Sequence, residues 1–263
     1  MKFDDLDKKL RVFETSHDCY VLPGIYMVAR LDGRGFTRLA REVHHFEAPF
    51  DTRFRDCMIF TTEHLMNCGF RVIYGYTQSD EISLLLHREE GLFRRKLRKL
   101  VSVLAGEASA AFSSRLGSIA CLDCRISQLP SPETVVEYFR WRQEDAMRNA
   151  LNAYCYWTLR KESFSMEKAT TALLGLGIAE KNELLSQRGI DFNETPLWQR
   201  RGVGVYWDTV RMEGQNRQTG LPTQYSRRRL KVDLDLPMGE EYETLLEKMT
   251  AEASKSLSFP RRS

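Results

Sequence analysis

Apolar residues in the first half of the chain recur at two periods. Gly24 to Leu31, rich in Ile, Tyr, Met and Val, reads as a central β-strand, preceded by a charged helix-compatible segment from Phe3 to about Ser16 and by the Pro23-Gly24 break. Phe54, Met58, Phe60 and Leu65 follow at roughly helical spacing and predict a helix over Phe50 to Asn67, ended by Cys68-Gly69. Phe70 to Tyr76 and Glu81 to His87 read as two strands around a turn at Thr77 to Ser79, a hairpin with Asp80 at its tip. A long helix over Phe93 to Ser114 and a strand over Ala120 to Gln128 complete the order β, α, β, β, α, β, closed by Pro130 and Pro132. That order predicts an α+β fold of the ferredoxin-like type with right-handed crossovers, in which the first and third strands are central neighbours.

Beyond Pro132 the pattern turns helical: Glu133 to about Lys161, Met166 to Leu174 and Ala179 to Ser186. A β-rich stretch then covers Arg201 to Met212 and Arg228 to Leu236, joined by a polar connection at Gly214 to Gly220 that reads as a mobile loop. The tail after Ser254 is expected to fray. The chain therefore divides into an α+β unit over residues 1–131 and, over residues 132–263, a helical region with a small C-terminal β element, expected to pack as one unit with the first.

Composition alters this picture little. The 39 basic residues nearly balance 36 acids, so the net charge of +3 names no partner. Distribution is more telling: basic residues cluster at Arg94, Arg95, Lys96, Arg98 and Lys99, at Arg200 and Arg201, and at Arg227, Arg228, Arg229 and Lys231, which suits a phosphate-rich ligand. The six cysteines are scattered and no leader pattern precedes them, so reduced thiols and a cytoplasmic location are expected. Cys121-x-x-Cys124 lacks the second pair that a structural zinc needs. No apolar run approaches the roughly 20 residues of a membrane helix.

Two acidic motifs carry the candidate chemistry, Leu31-Asp32-Gly33-Arg34-Gly35-Phe36 after the first strand and Gln78-Ser79-Asp80-Glu81 at the hairpin tip. Carboxylates at the ends of neighbouring strands can hold two divalent ions about 3.5 to 4 Å apart, the arrangement used for in-line displacement at phosphorus. Asp32 and Asp80, with the Gly33 carbonyl, are the candidate ligands, and Mg²⁺ suits them because it keeps coordination positions for phosphate oxygens and water. Glu81 points the opposite way along an extended strand and reads as a supporting residue. The glycines and backbone amides of Asp-Gly-Arg-Gly-Phe can form a concave anion site for a triphosphate. On the helix after Pro132, Arg142 and Asn149 share a face two turns apart; periodicity alone leaves open whether that face touches phosphate, a base or the core.

Together, R-L-D-G-R-G-F, Y-T-Q-S-D-E, W-R-Q-x-D and Ala179-Glu180-Lys181-Asn182-Glu183 resemble the tRNA-histidine guanylyltransferase family, including its bacterial guanylyltransferase-like members. The resemblance implies a polymerase-type palm that uses Mg²⁺, ATP and GTP or other nucleoside triphosphates to add nucleotides to the 5′ end of a tRNA, in the 3′ to 5′ direction. It also implies a homotetramer. Carried over, Asp32 and Asp80 match the metal-binding carboxylates, Gly33 a backbone ligand, and Arg34, Gly35, Phe36 and Thr37 with Ser79 the triphosphate segment. Glu81 and Lys181 match the functional acid and lysine. The basic residues of 94–99 and 227–229, with Arg142 and Asn149, become candidates for tRNA contact.

The chain departs from the family in two places. Met147-Arg148-Asn149-Ala150 stands where tRNA-histidine enzymes carry His-Ile-Asn-Asn, and Ala48-Pro49 where Lys-Pro is frequent. These departures favour repair of 5′-truncated tRNA over addition of guanosine at position −1. A palm-type nucleotide cyclase and a non-catalytic RNA-binding sheet are the competing classes.

Overall fold

The strand after Pro23-Gly24 can be apolar on both sides because helices cover both. The computed structural model describes residues 2–215 and 222–254. After helix α1 (Phe3–Thr15), strand β1 runs from Tyr26 to Gly33, and its side chains divide by parity between two cores. Met27, Ala29 and Leu31 meet Met58 and Leu65 of α3 (Thr52–Leu65) and Leu100, Leu104 and Phe112 of α4 (Leu97–Leu116). Tyr26 and Val28 meet Val135 and Phe139 of α5 (Pro132–Lys161) and Tyr242 and Leu246 of α9 (Glu240–Ser254). A six-stranded sheet thus lies between two helical layers.

With β2 (Val72–Gln78), β3 (Glu81–Leu86), β4 (Leu122–Leu129), β5 (Val203–Gln215) and β6 (Pro222–Asp233), the sheet order is β4-β1-β3-β2-β5-β6, with every neighbouring pair antiparallel. The first and third strands are central neighbours, as the element order predicts. Tyr74 pairs with Tyr206 and Thr77 with Val203, so the C-terminal ribbon extends the same sheet.

The second half hangs on α5. Ser131 accepts from the Thr134 amide while its own amide donates to the Thr134 hydroxyl, and Pro132 occupies the first turn, so the helix start is capped from within the sequence. Its C-terminal half packs with α6 (Met166–Leu173) and α7 (Ile178–Ser186) around Leu151, Cys155, Leu173 and Leu185.

Several sequence expectations shift. The predicted helix over Phe93 to Ser114 is broken: Phe93 and Arg94 have positive φ in a short 3₁₀ turn, and α4 begins only at Leu97. Short helix α2 (Phe36–Arg38), continued by a π-helical stretch over Leu39–Val43, follows β1, and α8 (Leu197–Arg201) precedes β5. The sequence reading assigned neither, nor α9, whose Tyr242 hydroxyl bonds that of Tyr74 at 2.9 Å. Most of the loop expected over 214–220, and the tail after Ser254, lie outside the described residues. No helix among the described residues is long and apolar enough to cross a membrane, and all six cysteines are free thiols.

Candidate active site

The end of β1 and the β2–β3 turn are tied together by backbone. The Gly33 amide donates to the Asp80 carbonyl at 3.0 Å, and Asp32 pairs in register with Glu81. Ser79 takes a positive φ at the turn, and its hydroxyl donates to the Asp80 carboxylate at 3.1 Å; the Thr77 hydroxyl closes the same turn on the Glu81 carbonyl. Gly33 is required here because a Cβ would lie 2.4 Å from the Phe36 ring. Phe36 is buried against Phe54 and Phe112. It therefore anchors the candidate triphosphate segment through the core, while Gly35 supplies the left-handed turn that starts α2. The Arg38 and Leu39 amides close that turn on the Gly35 carbonyl at 3.1 and 3.2 Å.

Asp32 and Asp80 line one cleft of about 480 Å³, within the roughly 300–1,000 Å³ of small-ligand sites. Burial raises the Asp80 carboxyl above its ordinary pKa, and the neighbouring Asp32 carboxylate pushes it the same way. Two carboxylates in mutual repulsion, beside backbone carbonyls, make an oxygen-only donor set that fits a hard divalent cation. Among the described residues no group of three or more His, Cys, Asp or Glu is arranged to hold a metal unaided. Such a cation would therefore complete its shell with phosphate oxygens and water.

Glu81 borders the cleft but is already engaged. It is buried and accepts two contacts from Arg142 Nη1, at 3.0 and 3.2 Å, with Arg30 Nε 3.6 Å away. Arg142 also reaches Asp145 at 3.2 Å, and Asp145 accepts from Asn149. Desolvation raises the Glu81 pKa while the two arginines pull it back. Its chemistry is that of a counter-ion which fixes the hairpin against α5.

The other predicted residues separate. Thr37, Ser79 and Asn149 line the cleft. Lys181 lies on α7, where its carbonyl accepts from the Cys155 thiol, and it is not among the cleft-lining residues. Arg142, a candidate for RNA contact, is 4% exposed and held by Glu81 and Asp145, so it cannot also bind backbone phosphate. Arg95 is corrected in the same way: it is buried and donates to the carbonyls of Ile25, Arg88 and Glu90. Lys96 and Arg98 both pair with Asp18, and Arg94 and Lys99 are the exposed cations of that cluster whose side chains have no ion pair among the described residues. On β6, Arg227 and Arg229 share one face by strand alternation, while Arg228 lies over the Trp207 ring on the other.

Three features of the cleft and two arginines beside it escaped the sequence reading. Arg41 stacks on Trp157 and Arg55 on Trp198, which gives the far wall its cations, and Asp51 caps α3 there. Arg30 and Arg125 flank the acids from β1 and β4. Two had legible signals, Arg30 as a charge inside the apolar run of β1 and Asp51 as a local cap that accepts from the Arg53 amide; the arginine–tryptophan stacks and Arg125 depend on contacts between elements.

This sheet has the palm-type order, with two aspartates at one end of its central strands. Two family profiles match in tandem, "tRNAHis guanylyltransferase" over residues 7–131 and "Thg1 C terminal domain" over residues 133–252. The chain is 30% identical over 234 residues to a probable tRNA(His) guanylyltransferase of Bos taurus, covering 85% of this chain and 77% of that protein. It is 30% identical over 230 residues to the tRNA(His) guanylyltransferase of Debaryomyces hansenii, covering 82% and 86%. Among solved structures, a bacterial tRNA(His) guanylyltransferase (Thg1)-like protein in complex with GTP shares the fold with a TM-score of 0.72 at 22% identity, over 94% of this chain and 99% of that one. The tRNA(His) guanylyltransferase of Saccharomyces cerevisiae gives 0.68 at 24% identity, over 74% and 91%. The chain belongs to the tRNAHis guanylyltransferase family.

Proposed function

We propose that this chain adds nucleotides to the 5′ end of truncated tRNA in the 3′ to 5′ direction, each addition directed by the opposing base. The observation that carries the reading is the convergence of Asp32 and Asp80 on one cleft. Relatives named tRNA(His) guanylyltransferase support nucleotidyl transfer to tRNA, and the solved neighbours in complex with GTP and with ATP support triphosphate substrates. Asp32, Asp80 and the Gly33 carbonyl would hold Mg²⁺, which when bound lowers the pKa of the attacking group and neutralises the leaving group. Thr37, Ser79 and the Phe36 and Thr37 amides would hold the triphosphate, with Arg41 balancing its charge; Arg55 is already paired with Asp56 at 2.7 Å. A 5′-monophosphate oxygen would attack the α-phosphorus of ATP or GTP and release pyrophosphate; the 3′-hydroxyl of an incoming nucleotide would then attack the activated end and release the mononucleotide.

Addition of guanosine at position −1 is the second reading, favoured by the names of the relatives. Repair is preferred because Met147, at the family's histidine position, is an apolar residue packed against the helical core, and Ala48, at the lysine position, lines the cleft without charge. The test supplies a 5′-monophosphorylated tRNA lacking its first nucleotide with each nucleoside triphosphate in turn. Incorporation dictated by the opposing base supports repair. Guanosine added only to tRNA-histidine, whatever the opposing base, supports the second reading, and a cyclic nucleotide formed without RNA overturns both.

A further inference from the structure

Five charged side chains share one face at the end of the sheet, and the cleft accounts for only part of them. By register, Arg30 lies opposite Arg125, and Asp32 lies opposite both Asp123 and Glu81. Like charges directly opposed on adjacent strands cost stability. The arrangement persists through interleaved acids: Glu81 is 3.6 Å from Arg30, while Arg125 Nη2 lies 3.3 Å from Asp123 and 3.7 Å from Asp32. The Arg30 side chain is 18% exposed and faces Glu81. The Arg125 side chain, in contrast, is 53% exposed.

Asp32 stands between two regions. It lines the nucleotide cleft, whereas Arg125 and Asp123 lie outside that lining, on the β4 side. A transfer centred on Asp32 brings together two phosphate-bearing reactants. Asp32 is open to a second reactant from the β4 side, where Arg125 presents a half-exposed guanidinium fork 3.7 Å from it, a geometry matched to phosphate. We infer that Arg125 binds the 5′-terminal phosphate of the polynucleotide acceptor and positions it at Asp32. The inference rests on the nucleotidyl-transfer reading above and adds the side of the site from which the RNA end arrives.

The experiment compares equilibrium binding of one truncated tRNA transcript carrying either a 5′-monophosphate or a 5′-hydroxyl. The ratio of the two affinities within one variant cancels any general loss of folding or RNA binding. The native chain is expected to prefer the phosphorylated end by about tenfold or more, the range of a charge-assisted contact. Arg125→Ala should bring the ratio close to one, and Arg125→Lys should fall between. If Arg125→Ala is too unstable to assay, Arg125→Gln and Arg125→Lys decide on the same ratio. A native ratio kept by the neutral variants overturns the inference and leaves Arg125 a surface partner of Asp123, as does a native chain indifferent to the phosphate. Where the native chain incorporates nucleotides but the ratio is unmoved, this inference alone fails; where it incorporates none, the functional reading fails and takes the inference with it.

Discussion

Two stretches of dense charge, residues 78–81 and residues 94–99, meet different fates. At the first, the backbone forces Asp80 beside Asp32, and no cation neutralises Asp80 among the contacts described, so repulsion is left for a ligand to relieve. At the second, Asp18 takes Lys96 and Arg98, backbone carbonyls take Arg95, and only Arg94 and Lys99 remain outward. Charge density in a sequence thus predicts function only where the fold leaves that charge uncompensated.

The sharpest break would come from the aspartates. Asp32→Ala and Asp80→Ala should each lower nucleotide addition on the order of a thousandfold or more, the several kcal/mol that metal-assisted charge stabilisation supplies. A rate within tenfold of native in either variant would remove the site from the comparison. Arg142→Met should cost about 3 kcal/mol in urea unfolding, because it removes the hydrogen-bonded partner of buried Glu81 and leaves only Arg30, 3.6 Å away. Lys99→Ala should change stability by no more than about 0.5 kcal/mol.

Within 94–99 the salt dependence of tRNA affinity separates the residues. Arg94→Ala and Lys99→Ala should each reduce the slope by about one where they meet phosphate. Arg95→Ala should leave the slope intact and lose about 1–3 kcal/mol of stability, since three carbonyls lose their donor.

A modest, pH-dependent effect concerns Asp51. The Arg53 guanidinium, helped by the Glu47 and Arg53 amides, holds its carboxyl down at about 2 against the opposing push of burial. A lowered carboxyl stabilises the fold above its ordinary pKa, and that contribution is lost as pH falls toward about 2. Asp51→Ala should therefore cost about 1 kcal/mol at neutral pH. The gap from native should close between about pH 4 and pH 2 in thermal melts.

The βαββαβ order and the long helix α5 were legible because β1, β3 and α5 bury continuous or periodic apolar faces and because Ser131-Pro132 is a local cap. Helix α9 was not read. Its Tyr242, Leu245, Leu246 and Met249 stand at helical spacing, a signal the sequence reading passed over, and only the tertiary structure shows that this face packs on β2 and α5. Among the site residues, Asp32 and Asp80 stood out because acids at strand ends are conspicuous. Arg125, Arg41 and Trp157 did not, since each acquires its meaning from a partner on another element.

The sequence by itself determined most strands and the long helix α5, the ferredoxin-like order and the positions of the acidic motifs, all of which follow from side-chain period and short-range turn chemistry. Tertiary structure decided which charges are spent: that Glu81 is held by Arg142, that Arg95 serves backbone carbonyls, and that Asp80 faces Asp32. The physical reason is that an ionised group's role depends on its desolvation and on the charges within a few ångströms. Both are set by residues distant in the chain.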